Sequence, residues 1–213
     1  MVLHAKGWLP CHLLQRLQPG SAGLPVTVGT CKIESIICAV STYGHGFTWR
    51  STVLNGTAHM LVFDKPGMQD LDHITDEDVC GNEKLYGLRK IVNGIVPGQW
   101  EYTRRVIKRE VDQVLMLRVD IDPEKSHVHV RHGIANFAPD YESADRKKIW
   151  EGSIPIWEAY GDPFYGNTEA EFPPRLKRFF EDQTRKNKAY AIVQAGAEFK
   201  PVPLPYSHPK KRS

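Results

Sequence analysis

No stretch of about 18 consecutive apolar residues occurs in this 213-residue chain, so no membrane-spanning helix is expected. No Gly-x-Gly-x-x-Gly run and no Walker-type loop is present, which disfavours the Rossmann and P-loop folds. The four cysteines, Cys11, Cys31, Cys38 and Cys80, include no Cys-x-x-Cys pair, so neither a zinc knuckle nor a thioredoxin-like motif is expected. The start, Met1 to Lys6, lacks the basic segment and apolar stretch of a signal peptide. With scattered free thiols, this points to a reducing compartment, and a cytoplasmic location is expected. Excess charge is also scarce. A formal net charge of +3 falls well short of the dense basic stripe that phosphate-backbone binding wants, so no nucleic-acid partner is expected. No nucleophile elbow occurs, so no catalytic residue is assigned.

What remains is an ordinary globular composition, 41% apolar and 25% charged, on a chain long enough for a sizeable core. Leu13, Leu14 and Leu17 space as one helical face, opened by Pro10 and closed by Pro19-Gly20. Residues 24–30 and 33–42 read as two β-rich runs, and 47–62 as a third, bent or bulged around Gly56. Thr75 followed by Asp78 has the form of an N-terminal capping box. Leu85, Leu88, Ile91 and Val92 make a helical stripe over 83–96. Strands are expected at 111–121 and 127–133, joined by a turn at Asp122 to Lys125, and again at 148–157. A late amphipathic helix is expected over 173–186, with Leu176, Phe179 and Phe180 inward. Strands in succession with a mid-chain and a late helix indicate a mainly β, α+β chain rather than an alternating parallel sheet.

The densest chemistry lies in the run His45 to Gly56, HGFTWRSTVLNG. Arg50 offers a fork of donors and Ser51 a hydroxyl, a pair suited to phosphate, and Trp49 precedes them as a flat apolar surface. Adjacent strand residues face opposite sides, so Arg50 and Ser51 share one ligand only through a bulge or through the Ser51 backbone. His127, His129 and Arg131 fall on one strand face at period two, but no carboxylate or cysteine stands at a useful spacing, and no metal site is expected. Asp140, Glu142 and Asp145 read as a solvated acidic loop. His45 reads equally as a proton donor and as a structural histidine.

Four stretches, in order, resemble the FMN-binding split-barrel superfamily, in its pyridoxamine 5'-phosphate oxidase-like, flavin-nucleotide-binding branch. Leu3-His4 with Cys11-His12-Leu13-Leu14 is similar to that family's LHG strand and SRLL helix start. His45 to Val53 is similar to HSMNYRSVV. Val96 to Trp100 with Arg104 is similar to PGRW…TR. Val130 to Gly133 with Ile149 to Ile156 is similar to VRTG…VWAGVIPL. The resemblance implies an antiparallel split β-barrel with peripheral helices, a homodimer, FMN as cofactor and a small organic substrate. It implies cofactor contacts from His4, His12, Trp49, Arg50, Ser51, Arg131 and Trp150. The family's Ser-Arg is Cys11-His12 here, and histidine grips phosphate best when protonated, below its usual pKa of about 6.5. The first one or two barrel strands have no counterpart, so residue 1 corresponds to the start of the family's third strand. The expected domains are a split barrel over 1–160, a helical extension over 161–198 and a proline-rich basic tail over 199–213. Three functions fit: an FMN-dependent oxidoreductase, a non-catalytic flavin-binding module, and a degenerate split-barrel dimer without cofactor.

Overall fold

The structure, a computed structural model, describes residues 2–5, 17–18, 20–134, 140, 142–166 and 170–197. Its strands are β1 (Val2–Ala5), β2 (Leu24–Cys38), β3 (Gly46–Leu61), β4 (Leu115–Ile121), β5 (His127–Arg131) and β6 (Gly152–Pro155). They pair in the order β1-β4-β3-β2-β6, with β5 on β3. The path has two ends among the described residues, so what is seen is an antiparallel sheet with helices, an α+β fold, rather than a closed barrel. The chain forms two compact units, Met1–Thr30 with Thr52–His127, and Cys31–Ser51 with Val128–Ser213. Among the described residues no helix is long and apolar enough to cross a membrane.

In the first unit β4 buries Met116 on one face and Leu117 and Val119 on the other, while Arg118 and Asp120 stay nearer the surface. Leu117 and Val119 point to the same side as Ala58 and Met60 of β3 and pack with Leu17 and Leu24. Met116 points to the other side with Leu61 and meets Leu88, Ile91 and Val92. Those last three lie on α2 (Glu83–Ile95), so the helical stripe read from the sequence is the face that covers the sheet. Trp100, on the short α3 (Gln99–Tyr102), packs against two apolar clusters. Gly56 is required by contact. A Cβ there would overlap the Asp120 carbonyl oxygen on β4.

Two expectations are corrected in this unit. The runs 24–30 and 33–42 merge into one strand that ends at Cys38, because Cys31 and Lys32 present exposed or half-buried side chains without breaking the ladder. The strand expected over 111–121 begins only at Leu115. Residues Lys108–Asp112 form a helical turn, α4, in which Ile107 N donates to Glu110 Oε2 at 3.1 Å and Val111 is buried. An N-terminal cap outcompetes the β propensity of one valine.

The second unit holds Cys31–Cys38 of β2, Gly46–Ser51 of β3, β6 and α5 (Pro174–Gly196). Backbone pairs Ser35↔Pro155 to Cys38↔Gly152 join β2 and β6. The strand expected over 148–157 is thus only four residues long, Gly152–Pro155. Pro174 opens α5 at its first turn, where a missing N–H costs nothing. The helix was expected to stop at Lys186. It runs on to Gly196 because Ala191 and Ala195, one turn apart, are buried at 2% and 6% exposure. Gly133 N donates to Gln194 O at 3.0 Å, and Asn187 Nδ2 donates to Glu158 O at 3.1 Å. Asp140, read as solvated, is 5% exposed and accepts from Ser41 Oγ at 3.0 Å. The helix expected over 10–17 and the tail after 198 lie outside the described residues, apart from the buried Leu17.

The capping box exists as read and yields a pH-dependent prediction. Thr75 N donates to Asp78 Oδ2 at 2.9 Å and Asp78 N to Thr75 Oγ1 at 3.2 Å, opening α1 (Asp76–Gly81). The Lys65 ammonium at 2.6 Å and then the Thr75 donors hold the Asp78 pKa down, from 3.8 to about 2. A lowered folded-state pKa stabilises the fold above the unfolded value, and that stability is lost as pH falls through the folded one. Asp78→Asn is expected to cost about 1 kcal/mol at neutral pH, the typical worth of a cap, measured by urea unfolding. The difference from wild type should close as pH falls from about 4 to about 2.

Candidate functional site

The alternation of β2 slips by one at Glu34–Ser35, so that both residues are buried, at 2% and 0% exposure. Such a slip is what a β-bulge produces, and it re-aims a side chain. Ser35 turns into a chain of hydroxyls, with its Oγ 2.6 Å from Thr48 Oγ1 and accepting from Ser153 Oγ at 2.7 Å. Glu34 turns into a cavity of about 280 Å³. Lys32 and Glu34 from β2, Arg50 from β3, and Lys186 and Tyr190 from α5 line it, with Trp157 and Ile156 at its side.

Inside this cavity Arg50 Nε lies 3.0 Å from Glu34 Oε1. The contact is out of line for a hydrogen bond, so Oε1 is a buried acceptor with no hydrogen-bond donor among the described residues. The guanidinium carbon sits 4.8 Å from the centre of the Tyr190 ring, a cation–π distance. The Arg50 side chain is 46% exposed, so its fork stays accessible. Burial raises the Glu34 pKa above 4.5, and the nearby charges of Arg50 and then Lys32 only partly offset this. Lys32 is itself engaged by Glu158, at 2.9 Å. Counting Lys32, Arg50 and Lys186 against Glu34 and Glu158, the cavity carries a small positive excess suited to an anion.

The other residues named from the sequence are distributed as follows. Ser51, next to Arg50 on a continuous β3, does not line the cavity, as strand alternation dictates. Trp49 meets His129 of β5 in a tilted ring contact, centroids 4.6 Å apart at 44°. Arg131, on the same strand, has a buried Nε without a hydrogen-bond partner among the described residues, and its Nη atoms lie 3.7 Å from where a Gly46 Cβ would stand. Trp150 is 62% exposed and lies over Gly152, where a Cβ would come within 2.5 Å of its ring. His4 is in β1, its backbone opposite Met116. His12 lies outside the described residues. No group of three His, Cys, Asp or Glu side chains among the described residues is placed to hold a metal ion.

The sequence reading missed Glu34, Lys186 and Tyr190. A single carboxylate inside KIESIIC was a usable signal, because an ionisable group in an apolar strand run is seldom there for packing. Nothing local links Tyr190 to Arg50. A larger cleft of about 840 Å³, lined by Tyr160, Phe172 and Phe180, is surrounded only by exposed titratable side chains and offers no buried polar group to fix a ligand.

No protein-family model matches the chain, and no curated protein sequence matches it. Among solved structures it is similar to the FAD and heme binding protein from Mycobacterium smegmatis. That match has 21% identity over 84% of this chain and 76% of that one, with a TM-score of 0.61. It is also similar to the flavocytochrome Anf3 from Azotobacter vinelandii, at 21% identity over 83% of this chain and 71% of that one, with a TM-score of 0.59. At this identity the likeness is one of fold.

Because desolvation outweighs the attraction of Arg50 and Lys32 for Glu34, a neutral side chain of the same shape should fit better. A raised carboxyl pKa favours the fold below the unfolded value, and this contribution is lost as pH rises through the folded one. Glu34→Gln is therefore expected to stabilise the chain near pH 8. The gain should disappear near pH 4.5, as read by thermal melts across that range. A loss of stability at pH 8 would mean that the Arg50 contact dominates.

Proposed function

We propose that this chain is a flavin-nucleotide-binding protein of the split-barrel type, and that it takes FMN with the phosphate against Arg50. The observation that carries the reading is the Arg50 guanidinium, backed by Tyr190 and facing a cavity that also holds Lys32 and Lys186. A phosphate monoester is a dianion, and a guanidinium fork answers it with charge-assisted bonds. The cavity is slightly below the roughly 300 Å³ at which drug-sized pockets begin. It suits the anionic end of the nucleotide, with the ring system outside it. The shared fold supports the reading, since the two solved proteins are described as an FAD and heme binding protein and a flavocytochrome.

In this reading Trp49, Arg131 and Trp150 complete the cofactor contacts that the motif resemblance implies. FMN, when bound, supplies the redox chemistry for oxidising or reducing a small organic substrate. The chain's part is to hold the phosphate at Arg50 and to present aromatic surface and donors to the rest. We further propose a homodimer, supported by strand positions that leave apolar side chains in solvent: Ile33 at 45%, Phe47 at 48%, Val128 at 68% and Val130 at 45% exposure. A second reading, a split-barrel protein that no longer holds a cofactor, is favoured by Glu34, whose carboxylate competes with phosphate for Arg50.

Arg50→Ala is expected to weaken FMN binding at least tenfold, since a bond to a charged group is worth about 1.5–3 kcal/mol. Fluorescence titration with FMN, and with FAD in parallel, measures this, and size-exclusion chromatography reports whether the variant stays folded. Undiminished affinity would place the phosphate elsewhere. Absence of flavin binding by the wild-type chain would favour the second reading. Bleaching of bound flavin by NAD(P)H would distinguish an oxidoreductase from a storage module.

A further inference from the structure

We propose that the cavity between β2, β3 and α5 binds its anion together with a proton, Glu34 being the group that takes the proton and then donates its O–H to an anion oxygen held by Arg50. The inference rests on the reading that Arg50 receives the anionic end of the ligand, and it names how that site is regulated. Its basis is geometric. Glu34 Oε1 is buried, lacks a hydrogen bond and stands 3.0 Å from Arg50 Nε. Any oxyanion that docks on the Arg50 fork from this cavity arrives beside that oxygen. An anionic oxygen beside the buried Glu34 carboxylate oxygen is repelled by it, whereas one proton between them turns the repulsion into a hydrogen bond.

The charged and titratable groups that face Glu34 agree with this assignment. From β3 comes Arg50, and from β2 itself Lys32, which Glu158 already engages. From α5 come Lys186 and the Tyr190 phenol. Asn187, Ile156, Trp157 and Ala191 complete the lining and do not titrate. Among the described residues lining the cavity Glu34 is the one carboxyl group, and no histidine stands beside it. Burial already biases it toward the protonated form. The proton comes from solvent, binds the Glu34 carboxylate and stays on it while the anion is bound. Release of the anion at higher pH returns the proton to water.

The site should then favour dianions under mildly acidic conditions and release them as the pH rises. Sulfate is the decisive probe, because it keeps both charges throughout this range and any proton taken up belongs to the protein. Titration calorimetry of the full chain with sulfate, near pH 8, in Tris and in triethanolamine, measures proton uptake from the difference in heats. About one proton per sulfate is expected. Affinity should rise by up to tenfold for each pH unit lowered, the limit for one linked proton. Glu34→Gln should bind sulfate without proton uptake, independently of pH, and at least as tightly as wild type near pH 8. Uptake of no proton by the wild type, or an unchanged proton linkage in Glu34→Gln, would overturn the inference, as would absence of sulfate binding. The wild-type measurement stands even if the variant folds poorly. FMN titrated alongside tells the two readings apart. Proton-linked sulfate binding without FMN binding removes the flavin reading and keeps the gate. FMN binding of equal strength near pH 7 and 8, with no uptake in either chain, keeps the flavin reading and removes the gate.

Discussion

A carboxylate and a guanidinium, pressed together at the bottom of a small cavity without a proper hydrogen bond, set the character of the second unit. The Glu34 carboxylate is desolvated, and its Arg50 neighbour only partly compensates. Such an arrangement persists only if the surroundings hold it, because an under-satisfied buried ion costs several kcal/mol once its partner moves away. Here the holding is visible. The slip in β2 turns Glu34 inward. Ser35, Thr48 and Ser153 tie β2, β3 and β6 through their hydroxyls. Tyr190 on α5 lies against the guanidinium. The pair is therefore a stored electrostatic tension, and protonation of the Glu34 carboxylate relieves it.

The first unit shows the contrasting economy. Apolar clusters pack against its sheet, and the side-chain caps of α1 and α2 supply further order. Ion pairs are numerous there, among them Arg105 with Asp76 at 2.6 Å and Arg89 with Glu101 at 2.7 Å. They sit at the surface, where such pairs contribute little. What distinguishes Glu34 from these carboxylates is burial rather than the presence of a cationic neighbour. β2 and β3 each contribute residues to both units, so the same two strands carry a conventional apolar half and a half with buried polar groups.

Much of the fold was legible where a local rule decided the outcome. The stripe Leu85, Leu88, Ile91, Val92 and the Thr75–Asp78 box both stand where the sequence places them, since each depends only on residues within a turn or two. Val111 and Asp112, expected to begin a strand, close a helical turn instead, because valine's β propensity is weaker than a cap supplied by Glu110. The helix α5 outlasts its expected end because the charged segment around Lys186 is followed by Ala191 and Ala195, one turn apart and both buried. In the site, Arg50 was found because an arginine in a strand stands out chemically. Its companions were not, because Lys186 and Tyr190 reach it only through the return of a distant helix. Ser51 illustrates the converse: adjacency in sequence, on a straight strand, is separation in space.

The position of α5 bears on how such a chain is cut or fused. Every stretch that resembles the flavin family ends by Ile156, so a truncation designed from motifs alone would stop near Trp157 and look complete. It would lack Lys186, Asn187, Tyr190 and Ala191, which form one wall of the Arg50 cavity. The arginine would then lose its aromatic backing, and Glu34 would be rehydrated. A shortened chain would thus keep the signature residues while exchanging a shielded, strained ion pair for two ordinary hydrated charges.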